Sequence, residues 1–297
     1  MYSLSKNIKH LKIIREGRFK YFGSPDSKDD GALVFAGNLN WYERSLNNPC
    51  VTAIITTKEL AKSIEFDMEK GLVVSASPRD AYWEAFSTQY EKGNLSPIMD
   101  FDIGENSHIH PTAIISDKVK IGRNVRIGAH TVINAYSHLA DNCEIHEGCI
   151  IGCEGLQLYR SSDGISKLVR HAGGVNLGNS VVMLARSMVS KAVHPQLTRI
   201  GDETLLSLMV SVGHQSDIGK NCSIAGNCLF GGSVIMGNNV IVGPSVTIKD
   251  SINVGDNARI RMGSVVVRDV LSGQDVSGNF AISHLKNLKD YAEKSRG

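Results

Sequence analysis

IGDETL LSLMVS VGHQSD IGKNCS IAGNCL FGGSVI MGNNVI VGPSVT IKDSIN VGDNAR IRMGSV V, residues 200–266, is one six-residue phrase said over and over. An aliphatic or aromatic residue opens every unit, from Ile200 through Leu206, Val212, Ile218, Ile224 and Phe230 to Val266. The same beat runs earlier, from Ile109 through Ile115, Ile121, Ile127, Ile133, Leu139 and Ile145 to Ile151. Four residues after each opener stands a small or β-branched side chain, such as Val125, Thr131, Ser137, Cys143, Cys222, Cys228 or Val246. A fixed period of six is the signature of a parallel β-helix.

The physical reading is direct. Six residues span a short strand and a corner, and three units close one triangular coil of eighteen. The opener and the residue four later point inward and stack on their equivalents in the next coil, about 4.8 Å away. Corners call for residues that tolerate positive φ, and Asn124, Asn142, Asn221, Asn227, Asn239 and Asn257 all occupy the fourth place of their units. Each coil buries its core only against its neighbours. The fold is therefore expected to be mainly β, and the period alone leaves the handedness of the coil open.

Outward from the repeat, three regions are expected. Residues 1–100 lack the beat. Short β-branched stretches at 32–35, 51–55 and 72–74 read as strands, while 58–65 and 79–90 carry helical spacing, so this is a small α/β domain with a mixed sheet. Residues 94–106, with Pro97 and Gly104, read as the linker. The coil then occupies 107–271, broken by an excursion loop at 152–174 and by a five-residue shift of phase around His194-Pro195-Gln196. A long insertion in a regular scaffold is a natural carrier of function. Residues 272–297 make a C-terminal loop and a helix over 283–294 that caps the open end.

Composition excludes several classes. The formal net charge is +2, so no basic footprint for nucleic acid stands out. No run of eighteen apolar residues predicts membrane insertion, and the charged start does not read as a signal peptide, so a cytoplasmic protein is expected. Of six cysteines, Cys143, Cys149, Cys222 and Cys228 fall on the small inward place of the repeat, where a thiol acts as a small hydrophobe. No C-x2-C pair exists, and no metal site is expected.

The six-residue pattern resembles that of the left-handed β-helix (hexapeptide-repeat) acyltransferases. The resemblance covers residues 109–271 and implies left-handed coils, a homotrimer, and active sites in the clefts between subunits. A closer resemblance adds the N-terminal domain. Phe35, Asn38, Trp41 and Tyr42 stand where the UDP-3-O-acylglucosamine N-acyltransferases of lipid A synthesis carry Phe-x-x-Asn-x-x-Tyr, whose aromatics hold a uracil ring. Trp41 occupies the place of the tyrosine and Tyr42 falls one residue late, which still leaves an aromatic face for a base. The resemblance thus implies that 1–100 binds a uridine nucleotide.

Within the coil, Val212-Gly213-His214 aligns with that family's Ile-Ala-His, whose histidine is the catalytic base. His214 is third in its unit, a place that points outward from the coil. Eighteen residues on is Gly232, where the resemblance places the backbone N–H that receives the oxyanion. Transfer of an acyl group to an amine needs a base with a pKa near 7 and one fixed hydrogen-bond donor, and these two residues supply both. Glu154, in an Ile-Gly-x-Glu-Gly stretch, and His171, at the end of the excursion loop, are further candidates for binding substrate. The orienting partner of His214 is left between Asp217 and Asp250. Asn279 and Ala281 resemble part of the Gly-Asn-Pro-Ala loop of CoA-dependent relatives.

Two departures matter. The family's Ile-Asp-Arg-Gly is Val189-Ser190-Lys191-Ala192 here, and its second histidine falls on Asp250. The expected activity is therefore an N-acyltransferase acting on a UDP-linked amino sugar, with an acetyl or short acyl group from acyl-CoA and no tightly bound cofactor. It would serve the assembly of a surface polysaccharide such as O-antigen. The lipid A enzyme, with a hydroxyacyl-carrier protein as donor, is the alternative. A zinc carbonic anhydrase on the same coil would need two histidines four residues apart, which this sequence lacks.

Overall fold

The computed structural model describes residues 1–8, 11–63, 69–95, 101–278, 283–286 and 293. Three parallel sheets run the length of the second region, of eight, eight and nine strands. They are the three walls of a left-handed parallel β-helix. The register follows the sequence beat: Ile200 lies beside Ile218, Ile218 beside Met236 and Met236 beside Val254, each eighteen residues on. The openers and the small residues four places later form one continuous buried core, with Val125, Cys143, Ile224 and Val246 all at most 1% exposed.

The corners behave as their asparagines foretell. Asn124, Asn142, Asn221, Asn227, Asn239 and Asn257 all have φ between 52° and 62°. The glycine after the opener answers a different need. A Cβ on Gly219 would lie 2.3 Å from the carbonyl oxygen of Gly237, and one on Gly213 would lie 2.6 Å from the carbonyl carbon of Gly231. No side chain fits there, because the next coil's backbone occupies the space.

The inward cysteines are structural. Burial pushes the thiols of Cys143 and Cys149 up to about 11, and Cys143, Cys222 and Cys228 donate to carbonyls of the next coil at 3.1–3.2 Å. Among the described residues no group of three or more His, Cys, Asp or Glu could hold a metal ion, and no helix is long and apolar enough to cross a membrane.

The coil starts earlier than the sequence suggests. Asp102–Ile103 already pairs in parallel with Val119–Ile121, so the coil absorbs part of the expected linker; Pro97 lies outside the described residues. Both interruptions are visible in the register. Leu139 pairs with Leu177, 38 residues on, and Leu177 with Ile200, 23 on. The walls therefore continue straight through both insertions, which are pushed out to one side. The first contains an antiparallel hairpin, Leu158–Arg160 with Ser166–Leu168.

The N-terminal domain has a five-stranded mixed sheet. Tyr21–Phe22, Ala32–Ala36, Val51–Thr56 and Gly71–Val74 are parallel neighbours, and Lys12–Arg15 adds an antiparallel edge. The expected helices are present at Lys58–Ser63 and Pro78–Glu91. A further helix, Leu39–Asn47, carries Trp41 and Tyr42 of the expected ligand motif. At the C-terminus, residues 284–286 are helical, while Asn279, Ala281 and most of the expected capping helix lie outside the described residues.

One apolar cluster joins both regions. Phe22, Tyr82, Trp83 and Phe86 of the first pack with Tyr159, Val169, Ala172 and Val193 of the two insertions. The imidazole of His194 stacks on Trp83, with ring centroids 5.7 Å apart and planes 8° apart. The insertions are thus the surface on which the N-terminal domain sits.

Candidate active site

A cleft of about 930 Å³ opens where the two regions meet. Phe35, Trp41 and Arg79 line it from the N-terminal domain, and His214, Ser233 and Asn253 from the coil. The two candidate groups, chosen from regions far apart in sequence, therefore face one space. Phe35 and Trp41 stand 5.5 Å apart between centroids, with planes inclined at 47°.

The other aromatic-motif residues have structural tasks. Asn38 caps the helix Leu39–Asn47, its Oδ1 accepting from the Trp41 amide at 2.9 Å. Tyr42 is 0% exposed and packs in a separate apolar cluster with Val34 and Ile54. It cannot reach the cleft, which corrects the expectation that it binds the nucleotide. The reason is helical geometry: one step along a helix turns a side chain by about 100°, so Trp41 and Tyr42 cannot share a face.

His214 stands on the outer side of its coil, as its place in the unit requires. Its ring rests against Gly232. A Cβ on Gly232 would come within 2.4 Å of Cε1 and 2.6 Å of Nε2. Gly232 does not have the positive φ of a tight corner; that belongs to Ser233, at φ 60°. Its glycine is required by the imidazole. Among the described residues nothing accepts the Gly232 N–H, so it remains available as a donor.

Electrostatics keep His214 neutral. Burial lowers its pKa first and the neighbouring His171 lowers it further, against smaller opposing effects of Gln215 and Asp250. A neutral imidazole is the form a general base requires.

His171 and Glu154 do not line the cleft. His171 is 1% exposed and meets His214 edge to face, with centroids 5.3 Å apart. Glu154 is paired with Lys191 at 3.2 Å and approaches Arg170 at 3.8 Å. Arg261, near the C-terminal end, is held by Asp275 at 2.7 and 2.8 Å.

Sequence reasoning missed Tyr82, Trp83 and His194, which form one wall of the cleft. The signal was present: an aromatic pair on a helix, and a histidine inside the five-residue phase shift. His194 is buried, and burial first, with the neighbouring His214 and His171, pushes its pKa down to about 3. An unfolded histidine titrates near 6.5. A depressed folded pKa means stability that is complete above 6.5 and is lost as pH falls from there toward 3. At pH 5 the loss from His194 is expected to be on the order of 2 kcal/mol, 1.36 kcal/mol for each unit below 6.5. Denaturant titrations at pH 7.5 and 5 check this, and His194→Gln should reduce the difference by about that amount, leaving the share of His171 and His214, whose pKa values burial also lowers.

Residues 102–135 match the family described as "Bacterial transferase hexapeptide (six repeats)". The chain is 31% identical over 208 residues to a UDP-3-O-acylglucosamine N-acyltransferase of Francisella tularensis subsp. holarctica, covering 58% of this chain and 57% of that one. It is 33% identical over 84 residues to a UDP-3-O-acylglucosamine N-acyltransferase of Shewanella denitrificans, 28% of this chain and 24% of that one. The matches thus span from about a quarter to just over half of these relatives' own length. Among solved structures, a UDP-N-acetylglucosamine acyltransferase from Campylobacter jejuni aligns with a TM-score of 0.46 at 21% identity, covering 58% of this chain and 71% of that one. In its repeat, its coil and its curated relatives, the chain is similar to the hexapeptide-repeat sugar acyltransferases.

Proposed function

We propose that the protein is an N-acyltransferase that moves an acetyl or other short acyl group from acyl-CoA to the amine of a UDP-linked amino sugar. The observation that carries this reading is a cleft lined both by Phe35 and Trp41 and by His214, whose ring rests against Gly232. An aromatic pair suits a base, and a neutral imidazole beside an unused N–H suits amine acylation. Four basic side chains also line the cleft and suit a diphosphate: Lys28, Arg79, Arg199 and Arg44, the last of them paired with Asp26.

The reaction then balances as follows. The sugar amine forms a C–N bond to the thioester carbonyl as His214 takes its proton. Since Nδ1 is buried, Nε2 is the nitrogen that receives it. The oxyanion of the tetrahedral intermediate accepts from the Gly232 N–H. The C–S bond breaks, and the imidazolium returns its proton to the departing sulfur. A homotrimer belongs to this reading, and exposed Leu205, Leu229, Ile241 and Val265 on the coil support it.

The activity of these relatives, N-acylation of UDP-3-O-acylglucosamine, favours a second reading, in which a carrier protein supplies the acyl chain for lipid A synthesis. One assay separates the two: thiol release from acetyl-CoA against a panel of UDP-amino sugars. Release that depends on one sugar supports the short-chain reading. Silence with acetyl-CoA and turnover with hydroxyacyl-carrier protein supports the other. On either reading Trp41→Ala should weaken UDP binding by about 1–3 kcal/mol, the worth of one stacked base, as titration calorimetry would show.

A further inference from the structure

The base lacks the carboxylate partner that a catalytic imidazole commonly has. A histidine that takes a proton on one nitrogen needs its other N–H held, so that the correct tautomer faces the substrate. The Nδ1 of His214 is buried and has no hydrogen-bond partner among the described residues. Neither Asp217 nor Asp250, the carboxylates the sequence offers, hydrogen-bonds this nitrogen, and Asp250 acts on the ring only through its charge. A second orphan lies beside it. The Nε2 of His171 is also buried and also without a partner among the described residues.

The state of that second ring follows from its other nitrogen. The Nδ1 of His171 is 3.0 Å from the carbonyl oxygen of Lys191 and 3.4 Å from the amide nitrogen of Gly155. The first contact requires a proton on Nδ1 and the second forbids one. At 3.0 Å two lone pairs would repel, whereas at 3.4 Å the cost is small, so Nδ1 carries the proton. Nε2 of His171 is then a bare acceptor inside the protein. Leaving such a group unpaired costs about 1–3 kcal/mol. The neighbouring orphan, Nδ1 of His214, can be the matching donor.

The space is shaped for two rings. A Cβ on Gly155 would lie 3.1 Å from Cε1 of His171 and 3.2 Å from Cδ2 of His214. With Gly232 on the other side, two glycines yield room to the His214 imidazole. The rings are nearly perpendicular, at 81°, with centroids 5.3 Å apart. Each nitrogen stands about 1 Å out from its ring centre, so a turn of the His214 ring that lays both nitrogens on the line of centroids brings them to about 3.3 Å, within hydrogen-bond reach.

We infer that His171 is the positioning residue of the base: its Nε2 accepts the Nδ1–H of His214 and leaves the Nε2 of His214 free to take the substrate's proton. The backbone carbonyl of Lys191 fixes His171 in turn. This rests on the proposed acyltransfer, but the pairing itself can be tested without it. The excursion loop, which looks from the sequence like a substrate-binding insertion, thereby supplies the inner support of the base.

Two isosteres divide the functions of His171. Asparagine places its amide where Nδ1 is and can still donate to Lys191. Glutamine places its amide where Nε2 is and can still accept from His214. H171N is expected to lose about 10²-fold in kcat with KM little changed, and H171Q to restore much of that loss. The reverse order, equal losses or no loss would overturn it. In parallel, nitrogen-15 spectra of histidine-labelled protein report which ring nitrogen is protonated. Protons on Nδ1 of both His171 and His214 support the pairing, and a proton on Nε2 of His214 overturns it. That spectrum decides the pairing even if no donor is turned over, an outcome that would sink the acyltransfer reading instead.

Discussion

Replacing His214 with glutamine is expected to lower kcat/KM by roughly 10²–10⁴, the usual worth of a general base, while KM for the nucleotide sugar changes little. Glutamine keeps a polar side chain of similar reach but cannot accept the amine's proton at neutral pH. The coil should be undisturbed, because His214 lies outside the buried stack that holds Val212 and Ser216. Thermal midpoint and circular dichroism would confirm that. A variant with full turnover would remove the base from the mechanism, whatever the donor.

The second large effect is expected from a single methyl group. Gly232→Ala places a carbon 2.4 Å from Cε1 and 2.6 Å from Nε2 of His214, closer than atoms approach. One of the two must yield, and the imidazole, a side chain that can turn about its own bonds, is softer than the coil backbone. Displacement of a catalytic group by about 1 Å can cost on the order of 10² in rate. The backbone N–H survives the substitution, so a loss in kcat would report the position of the base and not a missing oxyanion donor. Steady-state kinetics of G232A beside H214Q would check this. If the base has been moved out of line, the double variant should be little worse than H214Q alone.

The architecture was legible because it is local. A strand-and-corner unit needs only six residues to declare itself, and Asn124 or Asn257 marks its corner without reference to anything distant. The outward aim of His214 followed from the same count. What escaped the sequence depends on how two insertions return to the coil. His171 and His194 reach His214 and Trp83 only because 20 and five surplus residues fold outward and re-enter in register. No periodicity records that. The aromatic motif was partly deceptive for another reason: Asn38 and Tyr42 serve the helix and the sheet beneath it, leaving Phe35 and Trp41 to face the cleft.

The glycines that follow the openers carry a last consequence. The space beside Gly201 is filled by the backbone of Gly219, and the space beside Gly219 by that of Gly237. A change at one such position is felt one storey up and hardly at all by its neighbours in the chain. Tolerance to mutation is therefore organised in vertical columns. Along such a column, second-site suppressors of a glycine substitution should fall eighteen residues away.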